Sequence, residues 1–169
     1  MSVSTQEHRE QAPESINCAV VTVSDTRTAE TDKSGQIIKE YLTNAGHHII
    51  EYRIIPDEPD QIDPLLKELA GRQDSDAIIF NGGTGISPRD TTFDVVDRML
   101  EKRLDGFGEL FRMLSWDEIG PAAMLSRATA GVYHNTLVFL TPGSSNAVRL
   151  AMDKLIAPEV AHMVFEIRK

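Results

Sequence analysis

Four short apolar runs, each closed by a proline, a glycine or a polar loop, alternate along this chain with segments whose apolar residues recur every three or four positions. That alternation limits the possible folds more than any other feature. Residues 18–23, 49–55, 76–80 and 136–140 are apolar, β-branched in part and too short for independent helices, so they read as buried strands. Between the first two, Ile37, Ile38, Tyr41, Leu42 and Ala45 form a helical stripe closed by Gly46, a residue that takes positive φ without penalty. Ile62, Leu65, Leu66 and Leu69 form the next stripe. Strand and helix in series predict an α/β fold: a three-layer sandwich, a mostly parallel sheet with helices on both faces.

Local signals refine this outline. Thr91 and Asp94 have capping-box spacing, which predicts a third helix from there to about Arg103. Ser115 and Glu118 repeat the spacing and predict short helices within 106–130, followed by a strand or hairpin near 126–133. Ser144 is placed to cap a last helix carrying Val148, Ala151, Met152, Leu155 and Ile156. Residues 1–15 are polar and mixed in charge, as expected of a disordered tail, leaving 16–169 as one domain.

Composition excludes several functions. With 17 basic and 26 acidic residues the net charge is -9, which argues against nucleic acid or an anionic membrane as a partner. There is no apolar run of membrane length and no signal peptide, so the cytoplasm is the expected location. The single cysteine, Cys18, excludes an internal disulfide and a cysteine-based metal site. His47 and His48 resemble a metal pair, but neighbours at a strand start point apart.

Ligands of open α/β sheets bind outside the carboxyl ends of the strands. Ser24-Asp25-Thr26-Arg27 follows the first strand here, then Asp32-Lys33-Ser34-Gly35. Pro56-Asp57-Glu58 follows the second, Gly82-Gly83-Thr84-Gly85 and Pro88-Arg89-Asp90 the third, and Pro142-Gly143-Ser144 the last. The glycine cluster before a helix suits an anion bound by backbone N–H groups and a helix end, and equally suits a sharp turn. Asp57 and Asp90 on one rim suit a Mg²⁺ ion shared with substrate phosphates; alternatively Asp57 is a turn residue and Asp90 a helix cap. Ser24 and Asp25 either meet the ligand or fix their own turn, and Arg89 and Arg127 are candidate phosphate clamps. The run Phe107, Leu110, Phe111, Met113, Leu114 and Trp116 belongs either to the core or to a subunit interface.

Taken together, Val23-Ser24-Asp25, Asp32-Lys33-Ser34-Gly35, Ile55-Pro56-Asp57, Gly82-Gly83-Thr84-Gly85, Pro88-Arg89-Asp90 and Pro142-Gly143 resemble the MoaB/MogA family of molybdenum-cofactor biosynthesis proteins, related to the gephyrin G domain. The likeness spans roughly residues 16 to 165 in order. The runs 106–112, 118–120 and 125–128 resemble the MoaB branch. The resemblance implies a homo-oligomer, trimer or hexamer, working with other proteins of the pathway. It implies adenylyl transfer from Mg·ATP to the terminal phosphate of molybdopterin, with pyrophosphate released. It implies Asp57 and Asp90 as the catalytic and metal-binding carboxylates. It places Ser24, Asp25, Ser34, Gly82, Gly83, Thr84, Gly85, Ser126, Arg127, Pro142, Gly143 and Ser144 at the substrate pocket. The chain departs from the pattern at Asn81, where many relatives have threonine, and at Thr92-Phe93, where many have Thr-Pro. The alternatives are a carrier that holds molybdopterin without turnover, an interaction scaffold, and a hydrolase of nucleotide-like substrates.

Overall fold

The computed structural model describes residues 11–169, so residues 1–10 of the expected tail lie outside the described residues. Six strands form one sheet: β1 Asn17–Val23, β2 His48–Ile55, β3 Ala77–Asn81, β4 Lys102–Arg103, β5 Thr129–Tyr133 and β6 Thr136–Thr141, in the order β2-β1-β3-β6-β5-β4. The β1–β2, β1–β3 and β3–β6 pairs are parallel. The β6–β5 and β5–β4 pairs are antiparallel. The helices are α1 Lys33–Asn44, α2 Pro59–Ala70, α3 Thr92–Met99, α4 Asp105–Ile119, α5 Ser145–Ala151 and α6 Ala157–Arg168. The mostly parallel α/β sandwich read from the sequence is therefore the architecture found.

Alternation along the strands builds two cores. Cys18, Val20, Ala77, Ile79, Leu137 and Phe139 face α1, α4, α5 and α6, where Ile38, Leu42, Phe111, Val148 and Val160 meet them. Their strand neighbours Ala19, Val21, Ile78, Phe80, Val138 and Leu140 face α2 and α3, against Leu66, Leu69 and Val96. Because side chains point to opposite faces at every step, a register slip of one residue would exchange the two cores. Burial pushes the Cys18 thiol up to about 12, so it stays a neutral packing group.

Chain order supplies the crevice. After β1 the chain passes through α1 to β2 on one side, and after β2 it crosses through α2 to β3 on the other. The connections leaving β1 and β3 thus diverge, and the carboxyl ends of these neighbours form a topological switch point.

Three local readings are corrected. The third helix ends at Met99, short of Arg103, because Glu101 and Leu104 donate backbone hydrogen bonds to Val132 and Ala130 and the chain between them joins the sheet as β4. Nothing local stops that helix; the open edge of β5 does. Ser115 caps no helix start. It lies inside the 15-residue α4, and its hydroxyl donates to the Phe111 carbonyl four residues back. The last helix runs on from α5 through a π turn, Met152–Ile156, into α6. That wide turn precedes Pro158, whose ring would collide with a carbonyl four residues back in an unbroken helix. Other signals match the structure. Gly46 has φ 85° after α1, Ser144 accepts a hydrogen bond from Ala147 N, and β5 and β6 form a hairpin whose turn residues His134 and Asn135 have φ 49° and 62°. Among the described residues no helix is long and apolar enough to cross a membrane.

His47 is buried beside the exposed His48, so the two do not form a metal pair. Burial, and then the neighbouring His48, hold the His47 pKa below its ordinary value of 6.5. A histidine depressed in the folded state contributes stability that is complete above its unfolded pKa and is lost as pH falls below it. Thermal melts of wild type are expected to drop between pH 7 and 5, and His47→Phe is expected to remove part of that drop. A variant with an undiminished pH dependence would show that His47 is not responsible.

Candidate functional site

An open pocket of about 320 Å³ lies at the switch point. Of the residues singled out from sequence, Ser24, Gly82, Gly83, Thr84, Gly85, Asp90, Gly143 and Ser144 line it, joined by Thr22, Val23, Arg27 and Asn81. Gly82 has φ 103°, and a side chain there would collide with the Val23 carbonyl. Gly83 has φ 64° and sits so close to Thr92 and the Asp57 carboxylate that no Cβ would fit. A Cβ on Gly143 would lie 3.0 Å from Gly82 Cα, so the loops after β3 and β6 touch.

The glycine loop has its acceptors spent and its donors free. Gly83 O accepts from Phe93 N at 3.3 Å. Thr84 O and Gly85 O accept from Arg127 Nε and Nη2 at 3.1 and 2.8 Å. Among the described residues, the N–H groups of Gly83, Thr84 and Gly85 donate to no protein acceptor. A pocket-lining loop whose carbonyls are already taken and whose amides are unspent has the donor set of an anion cradle.

The helix that follows does not offer its end to a ligand. The Asp57 carboxylate takes it: Oδ1 accepts from Thr91 N at 3.1 Å, Thr91 Oγ1 at 2.7 Å and Thr92 Oγ1 at 3.0 Å. Asp57 is 6% exposed and lies behind Gly83, outside the pocket lining. Its place is that of a brace fastening the β2 loop to α3 and the glycine loop, a use of Thr91 that the capping-box reading missed. Asp90 is different. It lines the pocket against Gly85, and among the described residues Oδ2 accepts only a 3.3 Å bond from Ser87 N.

Six further candidates stand around the pocket instead of in it. Asp25 accepts from Asp57 N at 3.1 Å and from Arg89 Nη2 at 2.8 Å, contacts that hold its carboxyl below the usual range. Arg89 also donates to Glu58 and to the Asp57 carbonyl, so it staples three loops and is no free phosphate clamp. Ser34 donates to the Gly143 carbonyl at 2.8 Å, joining α1 to the β6 loop. Arg127 pairs with Asp94 and lies over the Phe93 ring while it holds the glycine loop. Ser126 and Pro142 do not line the pocket.

Sequence reasoning missed the layer below. Asp32, buried, accepts from Thr22 Oγ1 at 2.5 Å, Tyr52 OH at 2.7 Å and Gly35 N at 3.0 Å. Thr22 in turn accepts from Asn81 Nδ2 at 2.9 Å. Thr22, Asn81 and Thr141 occupy one register row across β1, β3 and β6. Burial and the bond to Asp32 push the Tyr52 hydroxyl pKa upward. The available signal was a polar residue ending each of three apolar strands on the same face.

A pocket at the switch point of a mostly parallel sheet, beside a glycine-rich loop, defines the chain as an α/β domain. The chain belongs to the MoaB/MogA family of molybdenum-cofactor biosynthesis proteins. Residues 19–162 match the family described as "Probable molybdopterin binding domain". The chain is similar to molybdenum cofactor biosynthesis protein B of Bacillus subtilis (strain 168), 56% identical over 170 residues and 99% of each chain. Among solved structures it is similar to a molybdenum cofactor biosynthesis protein B, with TM-score 0.90, 50% identity, and 94% and 99% of the two chains covered. It is also similar to the tungsten cofactor synthesizing protein MoaB from Pyrococcus furiosus, with TM-score 0.84, 36% identity, and 94% and 100% covered.

The division between brace and pocket predicts different stability costs. Asp57→Ala is expected to lower the unfolding free energy by about 3 kcal/mol, since hydrogen bonds to a charged group contribute ~1.5–3 kcal/mol each. Asp90→Ala is expected to cost under about 1 kcal/mol. Urea denaturation of both variants measures this, and equal costs would remove the distinction.

Proposed function

We propose that the pocket binds molybdopterin and Mg·ATP and transfers AMP to the terminal phosphate of the pterin, releasing pyrophosphate. The observation that carries this reading is the loop at 83–85, with three acceptors tied to Phe93 and Arg127 and three N–H groups unspent. Such a cradle binds phosphate oxygens without adding net positive charge, as a chain of charge -9 requires. Membership of a family described as molybdopterin-binding supports the pterin as ligand.

In the transfer, an oxygen of the pterin phosphate attacks the α-phosphorus of ATP as the bond to the β-phosphate breaks. A phosphate dianion needs no base, so no histidine is required. The residues supply positioning and charge compensation. The N–H groups of the loop hold phosphate oxygens, while Arg127 and Asp57 keep the loop in shape. Asp90 fits Mg²⁺, because one half-buried carboxylate on the pocket wall together with substrate phosphates is a donor set that this ion accepts. Asp57 fits less well, with Oδ1 already holding three hydrogen bonds. Held by Asp90, Mg²⁺ would supply charge neutralisation for the departing pyrophosphate. Copies of the chain assemble through the exposed stripe Leu110, Met113, Trp116 and Ile119 of α4, while Phe107 and Phe111 of the same run are core.

A second reading, a carrier that holds molybdopterin without turning it over, is favoured by the single carboxylate on the pocket wall. Pyrophosphate release from ATP, Mg²⁺ and molybdopterin separates the two. Wild type is expected to turn over. Asp90→Asn is expected to fold, to bind pterin and to lose about a hundredfold or more in rate, the scale of removing one electrostatic contact. Pterin binding with no pyrophosphate from wild type would leave the carrier, and full activity in Asp90→Asn would remove that residue from the chemistry.

A further inference from the structure

Three arginines surround the pocket, and two are committed to the protein. Arg89 donates to Asp25, Glu58 and the Asp57 carbonyl. Arg127 donates to Thr84, Gly85 and Asp94. Among the described residues, Arg27 is the one cationic side chain lining the pocket. It stands on the β1 wall, while the glycine loop and Asp90 form the β3 wall.

What holds Arg27 is weak by design of the layer beneath it. Its Nη1 lies 3.7 Å from Asp32 Oδ1, beyond hydrogen-bond range, and the side chain is 34% exposed. Asp32 does not need it. Both carboxylate oxygens are already satisfied, Oδ2 by Thr22 and Tyr52 and Oδ1 by Gly35 N. A buried carboxylate left without donors would be costly, so an arginine that was its sole partner could not leave. Here the guanidinium can turn away and the charge behind it stays solvated by the protein. The attraction of Asp32 keeps Arg27 near the wall without occupying its N–H groups, and the turn that carries it is fixed by Ser24 Oγ, which accepts from Arg27 N at 3.2 Å.

We infer that Arg27 is the ligand-binding cation of this pocket, held beside Asp32 without a hydrogen bond and free to turn onto a phosphate group. A guanidinium offers paired donors that match phosphate oxygens, and it faces the loop N–H groups across the crevice, so a phosphate between them is held from both sides. The inference rests on the phosphate-binding reading of the pocket and adds the side chain that supplies its charge.

Calorimetric titration of the full chain with Mg·ATP, and separately with p-nitrophenyl phosphate as a simple phosphate monoester, tests it. Arg27→Gln is expected to weaken at least one of these at least tenfold and to flatten its dependence on salt, with the melting temperature near that of wild type. The titration that weakens identifies whether the nucleotide or the monoester is the group held. Arg27→Lys keeps the charge without the paired donors and is expected to bind with intermediate affinity; if Arg27→Gln does not fold, the same comparison is made with Arg27→Lys. Wild-type affinity and salt dependence in the substituted chain, for both ligands, overturn the role of Arg27 and leave the phosphate pocket standing. Absence of binding by wild type to either ligand overturns the pocket reading and this inference with it.

Discussion

The carboxylate of Asp57 is the contact on which the arrangement of the site depends. One oxygen accepts from Thr91 N and from the hydroxyls of Thr91 and Thr92, and its other oxygen lies against Gly83. A negative charge at a helix N-terminus is favoured by the helix dipole and by the unpaired amides there. In this chain that charge is supplied from the β2 loop, so the contact also fixes where α3 begins relative to β2. Gly83 follows, because its Cα must pass between Asp57 and Thr92 where no side chain has room. Asp25 and Arg89 extend the fastening, one holding Asp57 N and the other its carbonyl.

That use of the helix end changes where an anion can be held. Asp57 takes Thr91 N at the start of α3, Asp32 takes Gly35 N in the first turn of α1 and Ser144 takes Ala147 N in that of α5, so each of these helix starts already holds a protein cap. The free donors are displaced one step upstream, into the loop at 83–85. Arg127 completes the arrangement from the far side of the sheet's antiparallel half: it enters just before β5 and draws the Thr84 and Gly85 carbonyls outward. The loop is therefore shaped by one carboxylate and one guanidinium that do not themselves line the cavity. Both residues were site candidates in the sequence, and in the structure both hold backbone of the loop or of the helix after it.

How far the sequence carried depended on whether a feature was encoded locally. Strand runs such as 18–23 and the glycine at 46 carry their own signals, and so does Ser144, whose hydroxyl meets Ala147 N as its spacing suggests. The switch-point pocket also follows from local facts, since polar loops after parallel strands must share one edge. The failures share a cause in tertiary contact. Residues 100–103 look helical but pair with β5, and Ser115 looks like a cap but sits against Phe111 within a longer helix. Asp32 was read as part of a motif and not as a buried anion, because its partners Thr22 and Tyr52 come from different strands. Side-chain pairs across elements leave no periodic trace.

If a chain of charge -9 is to bind a phosphorylated ligand, as proposed, it has to resolve a conflict between its overall field and its site. The structure resolves it by commitment. Arg89 and Arg127, which stand around the pocket, are bound into the frame by Asp25, Glu58 and Asp94, so their charges are already compensated within the protein. The cradle then works with neutral amides, whose partial charges are fixed in direction and cost no reorganisation when a phosphate enters. Asp32 sits behind Arg27 as a counter-charge carried on its own three donors. The buried acid thereby permits one mobile cation at the mouth of an acidic protein: near enough to be retained, and free enough to be exchanged for a phosphate.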